Sequence, residues 1–283
     1  MTGRSAFLRA CALDVAVRKP GNVSEASPGH GMQAAQFIAS AQAAAGPLFE
    51  PGARVGRRIE GAVQASWAAA GCNTNLGIVL LCAPLASAAE LLQAGQAASL
   101  RAAIEQVLQS LDIDDAAAAF RAITQANPGG LGDAPQQDVH APPSIGLREA
   151  MALAAGRDSI ARQYRDGFAE LFDIGLRALP PAFSLMAVAK APDLAAAVQA
   201  LYLAWLAAHP DSHIVRKHGE AVAHSVMSAA QGWQARAATP GGTLDADPAF
   251  IAWDDSLKAR RINPGTTADL TVATLLLSAW HGT

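Results

Sequence analysis

Only 16% of the residues in this chain carry charge, and those able to do chemistry gather in a few short stretches. The densest is His209-Pro-Asp-Ser-His-Ile-Val-Arg-Lys-His-Gly219. Here Arg216 and Lys217 could neutralise phosphate oxygens, while Asp211 could hold a metal or move a proton. A solvated, charged helix start explains the same residues. His213 and His218 are five apart, which is not the i, i+4 spacing of a helical zinc pair. Asn73-Thr74-Asn75-Leu76-Gly77 sets three small polar side chains ahead of an apolar run. The unpaired N–H groups of a helix start favour an anion there, although Thr74 or Asn75 could simply be the cap. The stretch from Asn263 to Asp269 repeats the design, with Gly265, Thr266 and Thr267 as phosphate contacts and Asp269 as a ligand for Mg²⁺. Its local alternative is a threonine cap with Asp269 complementing the helix dipole.

Two further stretches join these. Lys19, beside Pro20 and Gly21, could bring an ammonium group and a glycine turn to a phosphate. His30 lies between two glycines and has an ordinary pKa of about 6.5, so it could exchange a proton near neutrality. Arg157-Asp158 opens a helical segment that includes Tyr164. Arg157, Asp158 or Tyr164 could face a substrate, or Asp158 could merely favour the helix start and pair with Arg162 at i, i+4. No P-loop, GxGxxG, HExxH or GxSxG motif is present, which removes the local support for the nucleotide, zinc-protease and serine-hydrolase readings that those motifs carry.

Helices must position these stretches. Ala, Leu, Gln, Glu and Arg dominate, and β-branched alternation is scarce, so an all-α fold is expected. The pattern predicts helices over 5–18, 32–45, 53–70, 77–92, 100–108, 114–125, 147–155, 158–178, 194–208, 214–238, 248–260 and 268–280. Asn127-Pro-Gly-Gly-Leu-Gly132 opens a polar segment reaching about Ser144, readable as a lid or a linker. Apolar helices on both sides favour one bundle over 1–283 as a single domain. The chain has 283 residues, 51% of them hydrophobic, and a formal charge of -3. That excludes intrinsic disorder and any general attraction for nucleic acid. Three separated cysteines fit neither a disulfide scaffold nor a zinc cluster. The longest apolar stretch, 78–89, contains Pro84 and is short for a membrane span. The expected compartment is the cytoplasm, with no membrane partner, and exposed alanine-rich faces would permit a homodimer.

Taken in order, the stretches resemble the triphosphoribosyl-dephospho-coenzyme A synthase family. Lys19-Pro20-Gly21 with Val23 looks like its KPG-x-V opening, and His30 with Met32 like its H-x-M segment. Asn73-Thr74 with Gly77 is similar to its NTHKG loop, and Asp211-Ser212 with Lys217 and Gly219 to its DTN...RGG element. Pro264 to Leu270 resembles its PGGSADLL ending. Asn75-Leu76 stands where the family has His-Lys, Thr266-Thr267 where it has Gly-Ser, and His218 where it has glycine. The 126–132 and 157–164 segments look more like the branch associated with methanopterin or methanofuran metabolism.

The resemblance implies a helical pentosyltransferase. In its reaction the 2'-hydroxyl of dephospho-CoA attacks the anomeric carbon of ATP, releasing adenine and keeping the triphosphate on the transferred sugar. It further implies Asp211 and Asp269 as Mg²⁺ ligands, and Lys19, Lys217, Asn73 and Thr74 as phosphate contacts, with Gly21, Asn75, Arg157, Arg216, Gly265, Thr266 and Thr267 beside them. His30, Asp158 or Asp211 would manage protons. ATP and dephospho-CoA, or another small acceptor, are the implied partners. Two alternatives are a related nucleotide-dependent enzyme of one-carbon coenzyme synthesis and a non-catalytic helical binding protein.

Overall fold

A chain so rich in helix formers resolves into helices joined by glycine and proline turns. The computed structural model describes residues 2–129, 136–186, 191–237 and 244–281. Among the described residues there is no strand, and thirteen α-helices follow in order. They are α1 Gly3–Ala16, α2 Ala34–Leu48, α3 Val55–Ala70, α4 Leu76–Gln93, α5 Leu100–Ser110, α6 Ile113–Ala126 and α7 Leu147–Ala154, then α8 Ser159–Arg165, α9 Ala191–Ala208, α10 Ser212–His218, α11 Glu220–Ala237, α12 Pro248–Ala259 and α13 Gly265–Ser278. The expected stretch at 130–132 and the helix end at Ala238 lie outside the described residues.

Helix α4 is apolar on nearly every face, and α13 mixes buried threonines with leucines, so both take the interior. α4 packs against α3, α5 and α13, and α13 also meets α1 and α9. α4 is long and apolar enough to cross a membrane by composition, but 72% of it is buried inside the protein. Residues of α9 and α13 enter both hydrophobic clusters: Leu201 and Leu270 belong to the larger one, Tyr202 and Ala268 to the smaller.

Pro84 sits inside α4 and has no N–H, so the Leu80 carbonyl loses its i+4 donor. Tyr164 of α8 supplies the replacement, donating its hydroxyl to Leu80 O at 2.6 Å from a fully buried position. A helix defect thus becomes the point that fixes α8, and with it Arg157 and Asp158, against the core.

Two expected helices are interrupted. The 158–178 segment breaks after Arg165, where Gly167 and Phe168 take positive φ values of 67° and 58°. That turn buries Phe168 against Tyr164, with ring centroids 5.5 Å apart. The chain resumes as a π turn at Leu171–Leu176. There Gly175 admits α13, since a Cβ on it would stand 2.5 Å from Thr274 Oγ1. Arg162 consequently pairs with Glu170 at 3.2 Å, not with Asp158. The 214–238 segment starts earlier, as α10, and is cut from α11 at Gly219, whose φ of 85° ends the first helix.

Tyr164→Phe keeps the ring and removes the donor to Leu80. The expected result is a loss of about 1–3 kcal/mol in denaturant unfolding. An unchanged midpoint would mean that this carbonyl needs no such partner.

Candidate active site

The separated stretches converge on one cavity of about 680 Å³. His30 and Asn22 come from the loop after α1, Asn73 to Ile78 from the start of α4, and Arg157 and Asp158 from the start of α8. His213, Arg216 and Lys217 come from α10, and Gly265 and Asp269 from the start of α13. Asn127, Pro128 and Gly129 close one side. Of the residues nominated from sequence, His30, Asn73, Thr74, Asn75, Arg157, Asp158, Arg216, Lys217, Gly265 and Asp269 line this space. Lys19, Gly21, Asp211, Thr266 and Thr267 do not.

Those five hold the walls instead. Lys19 is fully buried, with its ammonium on the Asp14 carbonyl and 3.2 Å from Asp14 Oδ1. Gly21 has a φ of 79°, and a Cβ on it would lie 2.8 Å from Ile262 O. Its N–H donates to Asp254 Oδ1 at 2.9 Å, and its carbonyl accepts from His30 Nε2 at 2.7 Å. Asp211 spends both oxygens on protein donors. Oδ1 takes the N–H groups of His213 and Ile214 at 2.9 and 3.0 Å; Oδ2 takes the amide and hydroxyl of Thr267 at 2.7 and 2.8 Å. The expectation that Asp211 ligates a metal or handles protons is therefore corrected: it is a cap of α10 clamped to α13. Thr266 is buried beside it.

The capping alternative for the Asn73–Gly77 loop is also corrected. Asn73 Oδ1, not Thr74 or Asn75, accepts the Leu76 N–H at 3.2 Å. Thr74 donates to Ser40 Oγ at 2.6 Å and Asn75 to Ser66 Oγ at 3.0 Å, forming a buried polar seam between α2, α3 and α4. Beyond it, Gly77 and Ile78 bring first-turn amides to the cavity wall. Asp158 does cap α8, through Ile160 and Ala161, while its second oxygen meets Arg216 Nη1 at 2.6 Å.

The electrostatics single out two residues. Asp269 makes no hydrogen bond or ion pair among the described residues, and it packs so tightly on Gly77 that a Cβ there would lie 2.0 Å from Oδ2. Burial, with Asp211 and Asp14 nearby, raises its pKa well above the ordinary carboxylate value. For His30 the bond to a carbonyl fixes the tautomer: Nε2 carries the proton, leaving Nδ1 as an acceptor. Burial and the cations Lys258 and Lys217 lower its pKa, so the ring is neutral at pH 7.

Sequence reasoning missed Asp14, His213, Asn263 and Arg261 as cavity residues. The signal for Asp14 was an acid between Leu13 and Val15 in a helix that has little need of one. His213 is held neutral, its pKa depressed to about 3 by burial and by Lys217 and Arg216. No spacing rule could have indicated that.

A Mg²⁺ ion fits this donor set only in part. Among the described residues no group of three or more His, Cys, Asp or Glu side chains forms a metal cage. Mg²⁺ commonly needs just one or two carboxylates when phosphates supply the remaining oxygens. Asp269 can serve in that way; Asp211 cannot.

A family model described as ATP:dephospho-CoA triphosphoribosyl transferase matches residues 2–282. Among solved structures, a provisionally assigned triphosphoribosyl-dephospho-CoA synthase from Archaeoglobus fulgidus superposes with a TM-score of 0.65 at 24% identity. That match covers 87% of this chain and 99% of the other, and it bears on the fold. No curated protein matches.

The raised pKa of Asp269 makes a stability prediction. Its proton is held more tightly in the folded state than in the unfolded one, so its contribution is fully present below pH 3.8 and is lost as pH rises through the folded pKa. Asp269→Asn should therefore be more stable than the unaltered protein at pH 8, with the gap closing toward pH 4 in thermal scans. Parallel curves would show that this carboxyl is not perturbed.

Proposed function

Since the chain belongs to the ATP:dephospho-CoA triphosphoribosyl transferase family, which moves the triphosphoribosyl group of ATP to dephospho-CoA, we propose that this cavity is where the transfer occurs. The supporting observation is the unpartnered Asp269 carboxylate in a space also lined by Arg157, Arg216 and Lys217. Such a pocket suits a polyanion that arrives with a divalent cation.

In this reading Lys217, Arg157 and the α4 amides bind the triphosphate, which fixes the sugar relative to the acceptor. Arg216 is oriented for the same work by Asp158. Asp269 would hold Mg²⁺, which neutralises and aligns the triphosphate when bound. His30 Nδ1 accepts the proton of the attacking 2'-hydroxyl as the new O–C1' bond forms and the bond from C1' to adenine breaks. The adenine leaves with the electron pair of that bond and takes a proton from water, His30 later returns its proton to solvent, and the triphosphate stays on the transferred sugar. Asn22 and Asn263, joined at 2.9 Å, offer neutral amide groups beside the reacting centre.

Incubation with ATP, Mg²⁺ and dephospho-CoA should release one adenine per acceptor consumed, and release that does not depend on the acceptor would refute the reading. Because the His30 pKa lies below its ordinary value, activity should fall only as pH drops below about 6.5. His30→Gln should reduce kcat by roughly 10²–10⁴-fold and remove this acid limb. A retained acid limb would place the base elsewhere.

A further inference from the structure

The cavity wall divides by chemistry. Around Asp269 it is charged, whereas α6 and α7 present Phe120, Ile123, Met151 and Leu153, next to a segment that adds Asp138, Val139 and two glutamines. A phosphate chain is disfavoured on that side, because the apolar groups would strip its water and Asp138 would repel it. Two residues contrast in exposure. Asp269 is partly buried and pressed on Gly77. Leu153 stands at the mouth, 49% exposed. Of the three large hydrophobic side chains exposed among the described residues, Ile113, Leu153 and Met186, only Leu153 is on the cavity wall. An exposed leucine on a cavity rim is surface that a bound molecule can cover.

Which molecule covers it follows from the reaction proposed above, on which this inference rests. In ATP the adenine is attached directly to the reacting carbon, so it stays beside the charged groups that hold the sugar, and the other extremity of ATP is charged. The acceptor alone carries a long, uncharged chain of methylene, methyl and amide groups. That chain is apolar enough for the wall and long enough to reach the mouth. The geometry points to a subsite on α6 and α7 that binds the pantetheine arm of dephospho-CoA, so that the arm contributes to selection of the acceptor. Met151 gives this wall an adaptable surface, as an extended and flexible arm requires.

Leu153→Asp tests the subsite at an exposed position, and Ile113→Asp, 46% exposed and away from the cavity, is the control. Calorimetric binding constants would be measured with dephospho-CoA, with ADP, which is the same nucleotide without the arm, and with ATP. The expected result is that Leu153→Asp weakens dephospho-CoA about tenfold and leaves ADP and ATP unchanged, while Ile113→Asp changes none. Weakened ATP binding with intact dephospho-CoA binding would assign the wall to adenine and overturn the inference. So would an unaltered protein that binds dephospho-CoA no more tightly than ADP, or a Leu153→Asp variant without loss. If the unaltered protein binds neither dephospho-CoA nor ATP, the proposed function falls and the subsite with it.

Discussion

The buried carboxylate of Asp211 is the joint on which the site depends. At 3% exposure burial raises its pKa, and four donors oppose that shift, two from its own helix start and two from Thr267. Those bonds fasten α10 to α13. One helix carries His213, Arg216 and Lys217; the other carries Asp269, one turn inside its start. Ser212 extends the fastening to α8 by accepting the Ser159 N–H at 2.9 Å. Three helix starts are thereby brought to one cavity by side chains that never face it.

Against this framework Asp269 and Asp14 are poorly served, as are Ser24 Oγ, Gln163 Oε1, His213 Nε2 and Arg216 Nε, buried without a hydrogen-bond partner. Asp14 is buried with its pKa raised by desolvation, against the opposing effect of Lys19. Gly77 is required because the Asp269 carboxylate occupies the space a side chain would need. A chain selected for stability alone would replace such a carboxylate with a neutral group. Its presence in a cavity that Arg157, Arg216 and Lys217 also line is what a site for a charged ligand requires, since the ligand completes the local charge balance.

The all-α class and most helix positions were legible because apolar spacing and helix formers agree over long windows. The convergence of loops was legible only through the ordered motifs, since spacing along a chain says nothing about which turns meet. Interruptions at Gly167-Phe168 and Gly219 escaped because their cause is tertiary: Phe168 turns inward to meet Tyr164, and α10 is pulled toward α13. Residue types identified the chemistry at Asp269 and His30 but misplaced Asp211, Thr266, Thr267 and Lys19. An acid beside hydroxyls reads alike whether it faces a ligand or a neighbouring helix. Only the hydrogen-bond partners separate those cases.

The amide of Gly21 is held by Asp254, 233 positions downstream, and Tyr202 donates to the Pro20 carbonyl across 182 positions. The loop that carries His30 thus takes its shape from α9 and α12. During synthesis on the ribosome the N-terminal part can pack α1 to α4 early, but the His30 loop has no template until those late helices emerge. Closure over such separations carries a large entropic cost before any contact rewards it. A truncated nascent chain would therefore hold helices without a working pocket, and nucleotide capture becomes a property of the finished polypeptide.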